Sequence, residues 1–232
     1  MHKQTNKQLL WVLDFDRCLG GTPALYDLFV NVIQDLGIAT TAQLKDARQY
    51  IEQTGGSFDV LNYLYQNNLV DDELYQRVAA AYLRRAKAAP VSMLEPGAGV
   101  FLERLHNANH SCGILSYGDE RWQRLKIAAS GLERMSAMIT DEKSKGRLIA
   151  LWYDDARGVF DVPSGITMHH KTPYGEVVLV DDKAVAFDGL PSAARGYWLQ
   201  SHKTLLPSQK GSVPGNVRIV RSFQEIIDLE GL

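Results

Sequence analysis

Cysteine is scarce in this chain, and the two present, Cys18 and Cys112, each sit beside an expected strand rather than in a spaced framework. That excludes a disulfide scaffold and points to reduced thiols, with a cytoplasmic address as the expectation. Long apolar runs are missing too: nothing approaches the roughly 18 residues needed to cross a bilayer. The polar start, Met1 to Gln8, leads into only five apolar residues before a carboxylate, which does not make a signal peptide. Neither charge sign dominates. Lys and Arg number 25 against 27 Asp and Glu, so there is no electrostatic footprint for nucleic acid. The basic cluster Arg84-Arg85-Lys87 reads as the solvated face of a helix. Repeats and low-complexity tracts are absent. The expected partner is therefore a small molecule, with no nucleic acid and no membrane, and oligomeric state is not readable.

What is present suits a soluble globular chain of 232 residues, 45% hydrophobic, enough for one substantial core plus a smaller accessory unit. The organising stretch is Leu9-Leu10-Trp11-Val12-Leu13, whose length and composition match a strand buried on both faces. It runs into Asp14 and Asp16. If the extended conformation persists, carboxylates two residues apart leave on one side and repel each other unless a cation sits between them. A hard dication such as Mg²⁺ is the usual neutraliser.

From Thr22 to Ala89 the pattern is helical throughout. Thr22 caps a helix with Pro23 in its first turn that ends at Gly37; others span Thr41 to Gln53, closed by Gly55-Gly56, then Phe58 to Gln66 and Asp71 to Lys87. Pro90 and the turn Glu95-Pro96-Gly97 mark a boundary. A helix over Gly99 to His106 leads to a second buried strand, Ser111 to Leu115, which stops at Ser116-Tyr117-Gly118-Asp119. A helix follows to Gly131, then a strand over Met135 to Ile139, a polar turn through Lys143, and a helix capped by Ser144. Residues 153–174 form a loop region with room for one strand. The clearest strand, Glu176 to Val180, ends in Asp181-Asp182; strands over 196–199 and 217–220 follow, and a capping box at Ser222 opens a last helix. Strand and helix alternation of this kind predicts an α/β fold, a doubly wound parallel sheet that binds ligands beyond the carboxyl ends of its strands. The expected domains are an α/β core, 1–21 and 90–232, and a helical insert, 22–89.

The residues at those carboxyl ends form a series: Asp14-Phe15-Asp16, Ser116, Lys143 and Asp181-Asp182. In that order they resemble the four motifs of the haloacid dehalogenase-like (HAD) hydrolase superfamily, mostly Mg²⁺-dependent phosphatases, and the likeness covers nearly the whole chain, including the helical insert, which resembles that family's cap. It departs at Cys18, where the family usually has Thr or Val, and in a long stretch between Lys143 and Asp181.

The resemblance implies a hydrolase acting on a small phosphorylated metabolite through an aspartyl-phosphate. Asp14 would be the nucleophile and Asp16 the general acid and then base. Ser116, Tyr117, Gly118 and Lys143 would hold the phosphoryl group, with Lys145, Lys126 and Lys171 as alternatives to Lys143. Mg²⁺ would be held by Asp14, Asp16 through its carbonyl, and Asp181 and Asp182, of which only one need touch it. The insert would close over the site about hinges at Gly20-Gly21 and Glu95-Pro96-Gly97. Dehalogenation, phosphonate hydrolysis with Lys45 or Lys87, and a catalytically silent phosphate-binding module are the alternatives. A phospho-accepting receiver module would need its acidic pair on the first strand and no insert. His169-His170 reads as loop polarity rather than a metal site.

Overall fold

The computed structural model describes residues 8–53, 58–167, 173–201 and 212–232. Within them the apolar runs become strands β1 (Leu9–Leu13), β2 (Ser111–Tyr117), β3 (Ala137–Thr140), β4 (Tyr153–Asp154), β5 (Val159–Phe160), β6 (Glu176–Asp181), β7 (Arg195–Leu199) and β8 (Val217–Val220). The helices are α1 (Thr22–Asp35), α2 (Thr41–Gln53), α3 (Val60–Gln66), α4 (Asp72–Ala88), α5 (Ala98–Asn107), α6 (Glu120–Ala129), α7 (Lys145–Trp152) and α8 (Phe223–Glu230). Most lie within two residues of their expected bounds. Helix α1 is capped by Gly21 instead of Thr22, with no side-chain cap. Gly55-Gly56, His169-His170 and Lys171 lie outside the described residues.

Six strands form one parallel sheet in the order β3-β2-β1-β6-β7-β8. β1 and β6 occupy its centre because both faces of each are apolar: Leu10 to Leu13 and Val177 to Val180 are all fully buried. Alternate residues divide between two cores. Leu10, Val12, Leu115, Val177 and Leu179 pack with Ile149, Trp152, Phe187 and Ile166 on one face. On the other, Trp11 meets Phe101 edge-on at 5.4 Å and stacks on Tyr197 at 6.2 Å, while Phe101 stacks on Phe223.

The region 153–174 contains a short antiparallel hairpin, β4 with β5, extended by a bridge from Phe160 to Tyr174. Its continuation passes so near the sheet that a Cβ on Gly113 would lie 1.8 Å from the Ile166 carbonyl oxygen. Because the obstacle is backbone, it cannot swing away. Gly113→Ala is expected to destabilise the fold by about 3 kcal/mol or more, lowering the melting temperature by roughly 6–12 °C. Thermal unfolding by circular dichroism checks this; an unchanged melting temperature would mean that the segment does not press on β2.

The chain divides into an α/β unit, Met1–Leu19, Leu94–Tyr117 and Arg134–Leu232, and a helical unit, Gly20–Met93 and Gly118–Glu133. Helix α6, expected in the α/β core, therefore belongs with the helices before residue 94. The reason is aromatic packing: Trp122 of α6 lies 4.7 Å from the Phe29 ring and 6.1 Å from Tyr82, whose hydroxyl donates to the Leu25 carbonyl. Among the described residues no helix is long and apolar enough to cross a membrane.

Candidate active site

A doubly wound sheet offers its crevice where the strand order reverses, here between the neighbours β1 and β6. Asp14 follows β1 directly and its N–H donates to the Val180 carbonyl at 2.9 Å, continuing the ladder by one residue. Asp181 is the last residue of β6, and Asp182 is next. All three are buried, and each places a carboxylate oxygen within 4.8 Å of the others. Buried like charges this close require compensation.

Part of that compensation is Lys145. Its ammonium group donates to Asp14 Oδ1 and, at 2.6 Å, to Asp181 Oδ2. Lys145 opens α7, whose first turn is pressed against the segment after β6: Ser144 Oγ donates to the Asp188 carbonyl, and a Cβ on Gly146 would lie 2.6 Å from that same oxygen. The glycine permits the approach that buries the lysine. Lys143, the expected residue, is instead exposed, with its ammonium 5.6 Å above the Tyr117 ring. Two hydrogen bonds explain the shift, from Glu142 N–H to Thr140 Oγ1 and from Ser144 N–H to Glu142 Oε1. They form a compact turn that delays the helix until residue 145. Lys126 is buried in the helical unit beside Trp122.

Asp16 does not join the acidic cluster. The extended run stops at Leu13 and the chain turns over Phe15 to Cys18, with Cys18 N–H donating to the Phe15 carbonyl at 3.3 Å, which leaves Asp16 half-buried. Ser116 lies inside β2 rather than after it; its hydroxyl is fully buried and has no hydrogen-bond partner among the described residues. A buried hydroxyl in that state can donate to an acceptor brought to the site. Tyr117 ends β2, whereas Gly118 belongs to the helical unit, with φ +139° and Gln123 close by.

The electrostatics follow from burial. Asp14 is pushed up to about 6, by desolvation first and by Asp181 second, against the pull of Lys145 and Lys183. Burial pulls the Lys145 ammonium down, but Asp14 and Asp181 outweigh it and the net direction is up. Lys183 is likewise raised: burial opposes its charge, while Asp14, Asp182 and Asp181 favour it. A lysine directly after an acidic pair is the signal in the sequence that marks it. Cys18 is held as a thiol, its pKa driven well up by burial and then by Asp14, Asp181 and Asp182.

Among the described residues the cluster consists of three carboxylates, an all-oxygen donor set that suits a hard dication of the Mg²⁺ type. Asp14 Oδ2, buried and without a hydrogen-bond partner among the described residues, fits the same group.

No family model and no curated protein matches the sequence. Solved structures do. A haloacid dehalogenase-like hydrolase from Burkholderia xenovorans superposes with a TM-score of 0.62 at 21% identity, covering 97% of each chain. A HAD phosphatase from Thermococcus onnurineus gives 0.57 at 18%, covering 97% of this chain and 98% of that one. The chain has the fold of the HAD-like hydrolases. A magnesium-bound HAD hydrolase from Bacillus subtilis, TM-score 0.55 at 13% identity, shares the HAD fold over 98% of this chain and all of its own.

Proposed function

We propose that the chain is a HAD-superfamily phosphohydrolase that cleaves a small phosphomonoester in a Mg²⁺-dependent reaction. One observation carries the reading: Asp14, Asp181 and Asp182 are buried together at the sheet's switch point with Lys145 bonded to two of them. The HAD fold, shared with a Thermococcus phosphatase, supports it.

Asp14 attacks phosphorus through a carboxylate oxygen as the bond to the leaving oxygen breaks, which makes an aspartyl-phosphate. Asp16 donates its proton to the departing alkoxide. It then takes a proton from the water that attacks phosphorus, freeing Asp14 and inorganic phosphate. The Ser116 hydroxyl donates to a phosphoryl oxygen, and Lys145, in the part first assigned to Lys143, steadies the charge of the nucleophile and the transferring group. Mg²⁺, held by Asp14 with Asp181 or Asp182, would neutralise the phosphate dianion that otherwise repels a carboxylate attacker. Helical-unit residues take the part of the family's cap, and the address is cytoplasmic.

Dehalogenation needs the nucleophile but no proton for a leaving alkoxide and no cation for a phosphate. Asp16 and the acidic pair therefore favour phosphoryl transfer. The test is phosphate release from p-nitrophenyl phosphate at pH 7. Turnover is expected with Mg²⁺ and is expected to vanish with excess EDTA. Equal rates in both would overturn metal-dependent phosphoryl transfer.

A further inference from the structure

The turn after β1 contains a residue that its backbone does not favour. Phe15 to Cys18 is a hydrogen-bonded β-turn, and its third residue, Arg17, has φ +59°. A third turn position with positive φ ordinarily takes Gly or Asn, because a Cβ crowds the neighbouring carbonyl there. The chain follows that rule elsewhere. Among the described residues the other non-glycine positions with positive φ are Asn68 and Asn109, both closing helices. Arg17 alone of the three is neither at a helix end nor a residue type suited to the conformation.

The flanks hold the turn in place. Phe15 and Cys18 are fully buried, and Cys18 Sγ lies 3.8 Å from the Val180 carbonyl that also receives the Asp14 N–H. Between these anchors the turn presents two half-buried charged residues in succession, Asp16 and Arg17. Strain of this kind persists where the surroundings over-determine it, and it concentrates where a side chain has work to do.

We propose that Arg17 is a specificity-determining residue that binds a second anionic group, a carboxylate or phosphate, on the alcohol portion of the substrate. The inference rests on the hydrolase reading, in which neighbouring Asp16 protonates the leaving oxygen and so sits beside that portion. A guanidinium suits the task because its planar fork pairs with carboxylate and phosphate oxygens two at a time.

The test compares glycerol 3-phosphate with 3-phosphoglycerate, which adds a carboxylate to the alcohol portion, and with fructose 1,6-bisphosphate, which adds a phosphate. The parent, Arg17→Asn and Arg17→Lys are each assayed with Mg²⁺ for kcat and KM and, in parallel, for ligand-induced thermal shift. In the parent, kcat/KM and thermal shift are expected to favour one or both anionic substrates over glycerol 3-phosphate. In Arg17→Asn that ratio is expected to fall roughly 10- to 100-fold, chiefly through KM, while Arg17→Lys keeps part of it. A parent with no anionic preference, or an Arg17→Asn protein with an unchanged ratio, overturns the inference. So does a uniform loss on all substrates with a lowered melting temperature, which would make Arg17 a structural tie. If no protein turns over any substrate but the binding preference is present in the parent and lost in Arg17→Asn, the hydrolase reading fails while the assignment of Arg17 is supported.

Discussion

Asp14→Asn is expected to abolish turnover and, in the metal-free protein, to raise the melting temperature. The first effect follows from the proposed mechanism, in which Asp14 is the nucleophile and an amide cannot replace it; loss of at least about 10⁴-fold in kcat is the expected scale. The second follows from the burial that makes the site. Asp14 is pushed up to about 6, by desolvation first and then by Asp181, so the folded protein holds this proton more tightly than the unfolded chain does. Its contribution to stability is fully present below the unfolded value near pH 4 and is lost as pH rises through 6. At pH 7–8 the ionised carboxylate costs ~3 kcal/mol relative to the neutral acid. Asparagine cannot ionise, and Lys145 keeps Asp181 as a partner. The gain at neutral pH should therefore be a few degrees, shrinking toward pH 4, with Mg²⁺ reversing the order by stabilising the parent more. Differential scanning calorimetry across that range with EDTA or Mg²⁺ measures it. A lower melting temperature for the variant at pH 7.5 in EDTA would show that Asp14 is a net stabiliser and contradict the strained-carboxylate account.

Lys145→Met is the second large effect, with the opposite sign. Removing the buried ammonium leaves Asp14, Asp181 and Asp182 facing one another without it, and breaking a buried pair costs ~3–5 kcal/mol. The rate should fall by roughly 10²–10⁴-fold, because in the proposed mechanism the lysine steadies charge at the nucleophile. Mg²⁺ should return part of the lost stability and little of the rate, since a dication can neutralise the carboxylates without replacing the ammonium's hydrogen bonds. The exposed Lys143 supplies the comparison: Lys143→Met should shift stability by no more than about 0.5 kcal/mol. Urea unfolding of both variants, with and without Mg²⁺, decides between them. Equal losses in the two would contradict the placement of Lys145 as the buried partner.

The contrast between these lysines shows where local sequence stops carrying information. The strands around the site were legible because a parallel strand buried on both faces reads as a continuous apolar run, and both Leu9–Leu13 and Glu176–Asp181 show one. Their ends brought Asp14, Asp181 and Asp182 into view. The choice between Lys143 and Lys145 depended on the hydrogen bonding of a five-residue turn, which no periodicity records. The approach of Gly146 to the Asp188 carbonyl, which buries Lys145, joins segments 42 residues apart (188 − 146) in the chain. Asp16 strayed from the cluster for a local reason, a turn that begins at Phe15, and Arg17 at its third position hides a left-handed conformation that composition alone would assign to Gly or Asn. Strand and helix alternation assigns α6 to the α/β core, whereas the Trp122 ring, packed on Phe29 and Tyr82, puts it in the helical unit. The β4–β5 hairpin was illegible because two-residue strands are too short to show alternation.

The most direct measurement is thermal unfolding with beryllium fluoride, a mimic of a phosphoryl group seated on a carboxylate, with and without Mg²⁺. If Asp14 accepts the phosphoryl group beside a metal, the parent should be stabilised when both additives are present, by ~2.7 kcal/mol at a hundred times the dissociation constant, and Asp14→Asn should show none of that gain. No stabilisation of the parent, or the same stabilisation in Asp14→Asn, would contradict Asp14 as the site of phosphoryl transfer.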